Sequence, residues 1–214
     1  MKEISLANRV IMITGASRGL GLVMARAFIE RGAFVVATGS KNSTELAAVQ
    51  AEFGDRAICV PSDVTKPDSA ADLTALTIEK WGKIDVLVNN AGLGMRAISE
   101  EFNTKPTKFW EADVDAWQNI VNTNINGPFY LSRSVVPHML RTNYGKIINI
   151  STSYQTMVRR GYSPYGSSKA FLEAATCSWV DELKETGITV NVLLPGGATD
   201  TDLLPSGKNK KGAD

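Results

Sequence analysis

Residues 165–169 read YGSSK, a tyrosine and a lysine four positions apart. On a helix that spacing puts both side chains on one face. A phenol titrates near ~10 on its own. An ammonium a few ångströms away favours phenolate and brings the value toward working pH, where a proton donor and acceptor acts best. Tyr165 with Lys169 is therefore a candidate acid/base pair, and the competing reading is an exposed helical contact. The run that contains them, STSYQTMVRRGYSPYGSSK at 151–169, carries a hydroxyl on ten of its nineteen side chains. Tyr154 and Tyr162 have Val158 and Gly166 at the helical i+4 position, so packing is the simpler reading for them, with Tyr162 a candidate pocket-lining residue. Pro164 suits the first turn of the helix that carries Tyr165.

A second chemical signal lies near the N-terminus, in VIMITGASRGLG at 10–21. An apolar strand runs into a turn with glycines at 15, 19 and 21, then into an amphipathic helix. Such glycines let the backbone approach a ligand, and the helix start offers free amides and a positive dipole end. That combination suits a pyrophosphate; a plain tight strand–helix connection is the alternative. NAD sites place a carboxylate on the ribose about twenty residues further on. Here Gly39 takes that place, with no carboxylate from 32 to 44, while Arg18 and Lys41 flank it. Two cations without the carboxylate suit a 2′-phosphate, so NADP is expected over NAD. Otherwise both are solvated charges.

These residues need elements to hold them. Strands are expected at Val10–Ile13, Phe34–Ala37, Ala57–Val60, Val86–Val88, Lys146–Ile150 and Thr189–Leu193, most of them buried on both faces. Helices are expected near Gly19–Arg31, Thr44–Phe53, Asp68–Trp81, Asp115–Leu140 with a break at Gly127–Pro128, and Pro164–Glu185. That alternation describes an α/β fold, a parallel sheet with helices on both faces. Residues 1–201 read as one dinucleotide-binding and catalytic domain, and 202–214 as a polar tail. The 214 residues carry 43% hydrophobic and 21% charged side chains with a net charge of +1, which offers no footprint for nucleic acid or an anionic membrane. The N-terminus has no signal-peptide or membrane-spanning pattern. Cys59 and Cys177 read as buried thiols of a reducing, cytoplasmic compartment. His138, the single histidine, builds no metal site with them, so no metal is expected.

Several segments together resemble the short-chain dehydrogenase/reductase family, in order, from about residue 6 to 201. They are TGASRGLG (14–21), Asp63–Val64, NNAG (89–92), NTNINGPF (122–129), YGSSK (165–169) and PGGATDT (195–201). The resemblance implies a Rossmann-type doubly wound sheet of about six strands, order 3-2-1-4-5-6, with the family's last strand missing. It implies cofactor contacts from Gly15, Ser17, Arg18, Gly19, Leu20, Gly21, Lys41, Asp63, Val64, Asn90, Ala91, Gly92, Tyr165, Lys169, Pro195 and Gly196. The family's threonine five after the proline is replaced by Asp200, so Thr199 or Thr201 takes that contact. Lys169 is implied to hold the nicotinamide ribose, and the oxidised nicotinamide adds a second positive charge near the phenol. The Asn124 main-chain carbonyl is implied to hold a proton-relay water.

The family's substrate-polarising serine falls on Thr152 here, thirteen residues before Tyr165. Its hydroxyl can do the same work, with a narrower choice of rotamers. Ser153 competes if the loop bulges, whereas Ser151 points away at period two. The implied activity is an oxidoreductase that interconverts a carbonyl and an alcohol, a homo-oligomer through the helices near 115–140 and 164–185. The alternative is a nucleotide-binding sensor or scaffold, or a truncated member with little turnover. The loop from Leu93 to Asp113 is expected to border the pocket without naming a substrate.

Overall fold

The apolar run Val10–Ile13 forms β1, with all four side chains buried, and it sits at the centre of a parallel sheet. A computed structural model describes residues 4–41 and 44–196. The chain order is β1, α1 (Gly19–Glu30), β2 (Phe34–Gly39), α2 (Thr44–Phe53), β3 (Ala57–Pro61), α3 (Pro67–Trp81) and β4 (Val86–Asn89). There follow α4 (Val114–Val121), a π-helical turn (Asn122–Asn126), α5 (Gly127–Thr142), β5 (Gly145–Ile150), α6 (Tyr154–Met157), α7 (Tyr165–Glu182) and β6 (Ile188–Leu193). The six strands lie in the order β3-β2-β1-β4-β5-β6, every pair parallel. This is the expected doubly wound arrangement.

Period two in the strands divides the core into two layers. Ile11, Ile13, Val35 and Ala37 pack with Ala25, Val49 and Phe53 of α1 and α2. Met12, Val36, Leu87 and Ile147 pack with Leu73 of α3 and Leu131, Val135 and Met139 of α5. Each fully buried Leu or Ile contributes about 1.5–3 kcal/mol, so β1, with no polar side chain, anchors the sheet. The edge strands differ. In β6, Thr189 and Asn191 face outward while Ile188 and Val190 face the core. That alternation marks a strand covered on one side.

Two expectations change. The helix from 114 to 142 is not broken at Gly127–Pro128; it widens into a π turn over Asn122–Asn126 and continues. Pro128 sits at the start of α5, where a missing N–H is tolerated, and Gly127 keeps helical angles. A Cβ on Gly127 would stand 3.1 Å from a Val64 methyl, so glycine lets α5 approach the end of β3. The cysteines are not both buried either. Cys59 is half-buried, its thiol pushed up to about 11 by burial, and Cys177 is exposed on α7. Among the described residues, no helix is long and apolar enough to cross a membrane.

Candidate active site

The glycine turn closes β1 onto α1 at the carboxyl edge of the sheet. Gly15 and Gly19 have φ of +65° and +55°, a region that disfavours side chains. Gly21 is required for a different reason: a Cβ there would lie 2.3 Å from the Gly15 carbonyl oxygen. The turn is stapled to the end of β4. Asn90 donates its amide to the carbonyls of Thr14 at 2.8 Å and Gly15 at 3.1 Å. The Thr14 hydroxyl accepts from the Asn90 and Ala91 amides at 3.1 and 3.0 Å. Thr14 was not singled out from the sequence, though it directly precedes the first glycine.

At the start of α1, Arg18 takes the capping position with extended backbone angles and makes no side-chain cap, and the first turn holds no acidic residue. Amides without a capping carboxylate, next to glycines that keep the backbone bare, fit a dinucleotide pyrophosphate. The end of β2 fits as well. A Cβ at Gly39 would meet the Ser17 hydroxyl at 3.1 Å, so the strand end and the glycine turn are in contact. Arg18 and Lys41 are both exposed on this rim. Asp63 is exposed and accepts from the Thr65 amide and hydroxyl at 3.0 and 2.7 Å, while Val64 is buried. Leu20 is half-buried in α1. Pro195 and Gly196 follow β6, and Thr199 lies outside the described residues.

The second half of the site is α7. Its Tyr165–Lys169 face meets the end of β5, where the Thr152 hydroxyl neighbours the Tyr165 phenol and favours its ionised form. Lys169 is buried, with Nζ donating to the Ile150 carbonyl at 2.8 Å and lying 5.8 Å from the Tyr165 ring centre. A Cβ on Gly92 would stand 3.7 Å from that Nζ and 3.4 Å from Asn124 Oδ1, so NNAG and YGSSK converge. Ser153 is elsewhere: it is exposed and caps α6, bonded to the Thr156 hydroxyl at 3.1 Å. Ser151 turns from the phenol to Glu173. Tyr165 begins α7, with Pro164 just ahead of the helix rather than inside it.

Asn124 projects inward from the π turn and is fully buried. Its Oδ1 accepts from the Leu93 amide at 2.8 Å, and its Nδ2 donates to the Leu93 carbonyl at 2.9 Å and to Ser168 Oγ at 3.0 Å. Ser168 in turn donates to the Tyr165 carbonyl at 2.6 Å. Asn124 thereby joins the loop after β4 to the first turn of α7. Ser168 went unremarked in the sequence, although it sits inside YGSSK.

The electrostatics correct one expectation. Burial pushes the Tyr165 phenol up, and the Thr152 hydrogen bond pulls it down by less; the neighbouring Tyr162 raises it further. The expected lowering by the ammonium is absent because Lys169 is itself desolvated, its value brought down to about 8, and points to a carbonyl. Beyond the phenol, Tyr162 packs as expected. It is buried against Phe102 and Met95, its ring 6.4 Å from that of Tyr165. Its hydroxyl donates to Asn103 at 3.0 Å and accepts from Arg159 at 3.1 Å. The loop after β4 thus reaches Tyr165 through Met95, Phe102 and Tyr162, while Phe109 and Trp110 are exposed. His138 contacts Arg141 on α5, away from these groups.

A family model described as short chain dehydrogenase matches residues 9–211. The gluconate 5-dehydrogenase of Gluconobacter oxydans is 34% identical over 90% of this chain and 72% of its own. A 3-ketoacyl-(acyl-carrier-protein) reductase from Brucella melitensis, solved with NADH, superposes with a TM-score of 0.82 at 29% identity, covering 93% of this chain and 79% of that one. A serine dehydrogenase solved with NADP+ superposes with a TM-score of 0.78 at 32% identity, covering 88% and 72%.

Proposed function

The chain belongs to the short-chain dehydrogenase/reductase family, and from that premise we propose that it is an NADP-dependent oxidoreductase interconverting a small-molecule carbonyl and an alcohol. The observation that carries the proposal is the setting of one phenol. Tyr165 shares a helix face with a buried lysine and neighbours the Thr152 hydroxyl, and that lysine meets the Asn89–Gly92 segment stapled to a glycine turn fit for a dinucleotide.

When bound, a nicotinamide would supply the hydride chemistry at the substrate carbon. Tyr165 handles the proton. Its raised value keeps the phenol protonated at neutral pH, which suits donation to a carbonyl oxygen that is becoming an alcohol. Thr152 donates a hydrogen bond to the same oxygen and polarises the carbonyl. In the reverse direction Tyr165 must accept the proton, and the neighbouring Thr152 hydroxyl favours the phenolate that does so. The Asn124 side-chain amide is spent on Leu93 and Ser168, so its part in a proton path to Lys169 falls to its main-chain carbonyl.

NADP over NAD rests on the absence of a carboxylate from 32 to 44 and on Arg18 and Lys41 at the rim. The relatives do not choose, since one was solved with NADP+ and another with NADH. Those relatives are named for a sugar acid, an acyl thioester and an amino acid, so oxo and hydroxy acids and their esters head the substrate panel. The remaining parts of the proposal are a cytoplasmic setting, in keeping with two free cysteines, and a homo-oligomer. The helices α4, α5 and α7 present Val114, Phe129, Phe171 and Val180 outward for it.

Cofactor oxidation over that panel, with NADPH and NADH in parallel, tests the reading. NADPH is expected to give at least about tenfold higher kcat/KM, which a lost phosphate contact of ~1.4 kcal/mol would explain. Equal or better efficiency with NADH removes the NADP preference. Wild-type activity in Tyr165→Phe removes the catalytic assignment.

A further inference from the structure

Three successive turns of α7 grip three successive residues at the end of β5. Tyr165 neighbours the Thr152 hydroxyl, Lys169 takes the Ile150 carbonyl at 2.8 Å, and Glu173 takes the Ser151 hydroxyl at 3.1 Å. Positions 165, 169 and 173 form one i, i+4 row along the helix. The first two grips belong to the proton-transfer pair. The third has no part in the chemistry described above, yet its serine lies between the other two partners. Ser151 is buried, and its own amide donates to the Leu193 carbonyl at 2.9 Å, which ties it to β6. Glu173 is half-buried beneath it.

We propose that Glu173, acting through Ser151, is a positioning residue that fixes the end of β5 so that Thr152 and the Ile150 carbonyl stay in register with Tyr165 and Lys169. The inference rests on the acid/base reading of that pair. The strand ends at Ile150, and beyond it the chain leaves the sheet ladder to enter α6. Residues 151 and 152 therefore have few strand hydrogen bonds to set their angle, and a side-chain bond from the helix supplies the constraint. A slip of the hydroxyl by one ångström is enough to cost a reaction tenfold to a hundredfold.

The test uses Glu173→Ala, Glu173→Gln, Ser151→Ala and the double alanine variant, with Tyr165→Phe as the reference. All are assayed with NADPH and the panel carbonyl that the wild type reduces fastest. Glu173→Ala and Ser151→Ala are each expected to lower kcat about tenfold, with the KM for NADPH unchanged within about twofold and the pH of half-maximal kcat displaced. Glu173→Gln keeps an acceptor oxygen for the serine and is expected to stay near wild type. The double variant is expected to be no worse than either single one, because one bond is lost in each. Wild-type kcat and pH profile in Ser151→Ala overturn the proposal, even if Glu173→Ala fails to fold. A Glu173→Gln as impaired as Glu173→Ala overturns it too, since the charge and not the bond would then matter. An inactive Tyr165→Phe beside such results shows that the failure is confined to the positioning role. A fully active Tyr165→Phe, or a wild type that reduces no carbonyl, takes down the acid/base reading and this inference with it.

Discussion

The Lys169 ammonium donates to the Ile150 carbonyl at 2.8 Å from a site where burial brings its value down from 10.5 to about 8. The folded protein releases this proton near pH 8 and the unfolded chain near 10.5, so the unfolded state binds more protons between those values. Stability from this group therefore rises with pH through that window, and below it the full cost remains. A displacement of that size corresponds to ~3 kcal/mol at neutral pH.

Lys169→Met should accordingly stabilise the cofactor-free protein at pH 7 while abolishing turnover. The Ile150 carbonyl loses its donor, which takes back about 1–2 kcal/mol. The net gain of ~1 kcal/mol corresponds to a melting temperature about 2–4 °C higher for a chain of this size. The advantage should vanish as pH approaches 10. A variant that melts below wild type at pH 7 would show that other interactions repay the burial of the charge.

Thr152 and Ser153 should separate cleanly. Thr152→Val keeps the shape and removes the hydroxyl that touches Tyr165, so kcat should fall about 10²–10³-fold. Loss of that hydrogen bond also moves the Tyr165 titration further up. Ser153→Ala removes the α6 cap instead, with a cost of at most about 1 kcal/mol and kcat unchanged. The assignment fails if Ser153→Ala is the slower enzyme.

What the sequence disclosed about this site follows from the range of each interaction. Val10–Ile13 and Val86–Val88 are legible because a strand buried on both faces must be apolar along its length. Thr152 and Ser153 were indistinguishable because period two fails where the chain leaves β5, and only the turn into α6 shows which hydroxyl meets the phenol. Glu173 lies 22 residues from Ser151, so no local spacing links them. The lysine four residues from Tyr165 was visible, but the burial of both groups was not, and the expected direction for the phenol came out reversed. The π turn escaped notice because Gly127–Pro128 reads as a break unless Val64 is known to press against the glycine.

Gly21→Ala should weaken dinucleotide binding while Tyr165 and Lys169 stay intact. Its Cβ would overlap the Gly15 carbonyl oxygen at 2.3 Å, with Asn90 Nδ2 at 2.6 Å. The turn must open, and the Asn90 bonds to Thr14 and Gly15 open with it. NADPH fluorescence titration should show affinity weakened by about tenfold or more, the loss expected when one charge-assisted contact to the pyrophosphate is broken. Unaltered affinity would mean that the phosphates do not sit on this turn.

Asp85 offers a stability test that leaves the chemistry alone. It lies where β1, β4 and β5 begin, at the opposite end of the strands from Tyr165. Its buried carboxylate accepts from Arg9 at 3.0 Å, the Val10 amide at 2.8 Å and Lys83 at 2.8 Å. Burial alone would raise its value, but the Lys83, Val10 and Arg9 hydrogen bonds and the Lys83 charge together hold it below the usual carboxylate range. A carboxyl depressed by folding contributes stability that is present above its unfolded value of ~3.9 and is lost as pH falls through the folded value. Asp85→Asn should therefore lower the unfolding free energy from urea titration at pH 7 by roughly 1–3 kcal/mol, and the gap to wild type should close toward pH 3. The kcat should not move, because no bond of Asp85 reaches the carboxyl edge of the sheet. A gap that persists unchanged at pH 3 would mean that the asparagine perturbs packing rather than removing a paired charge.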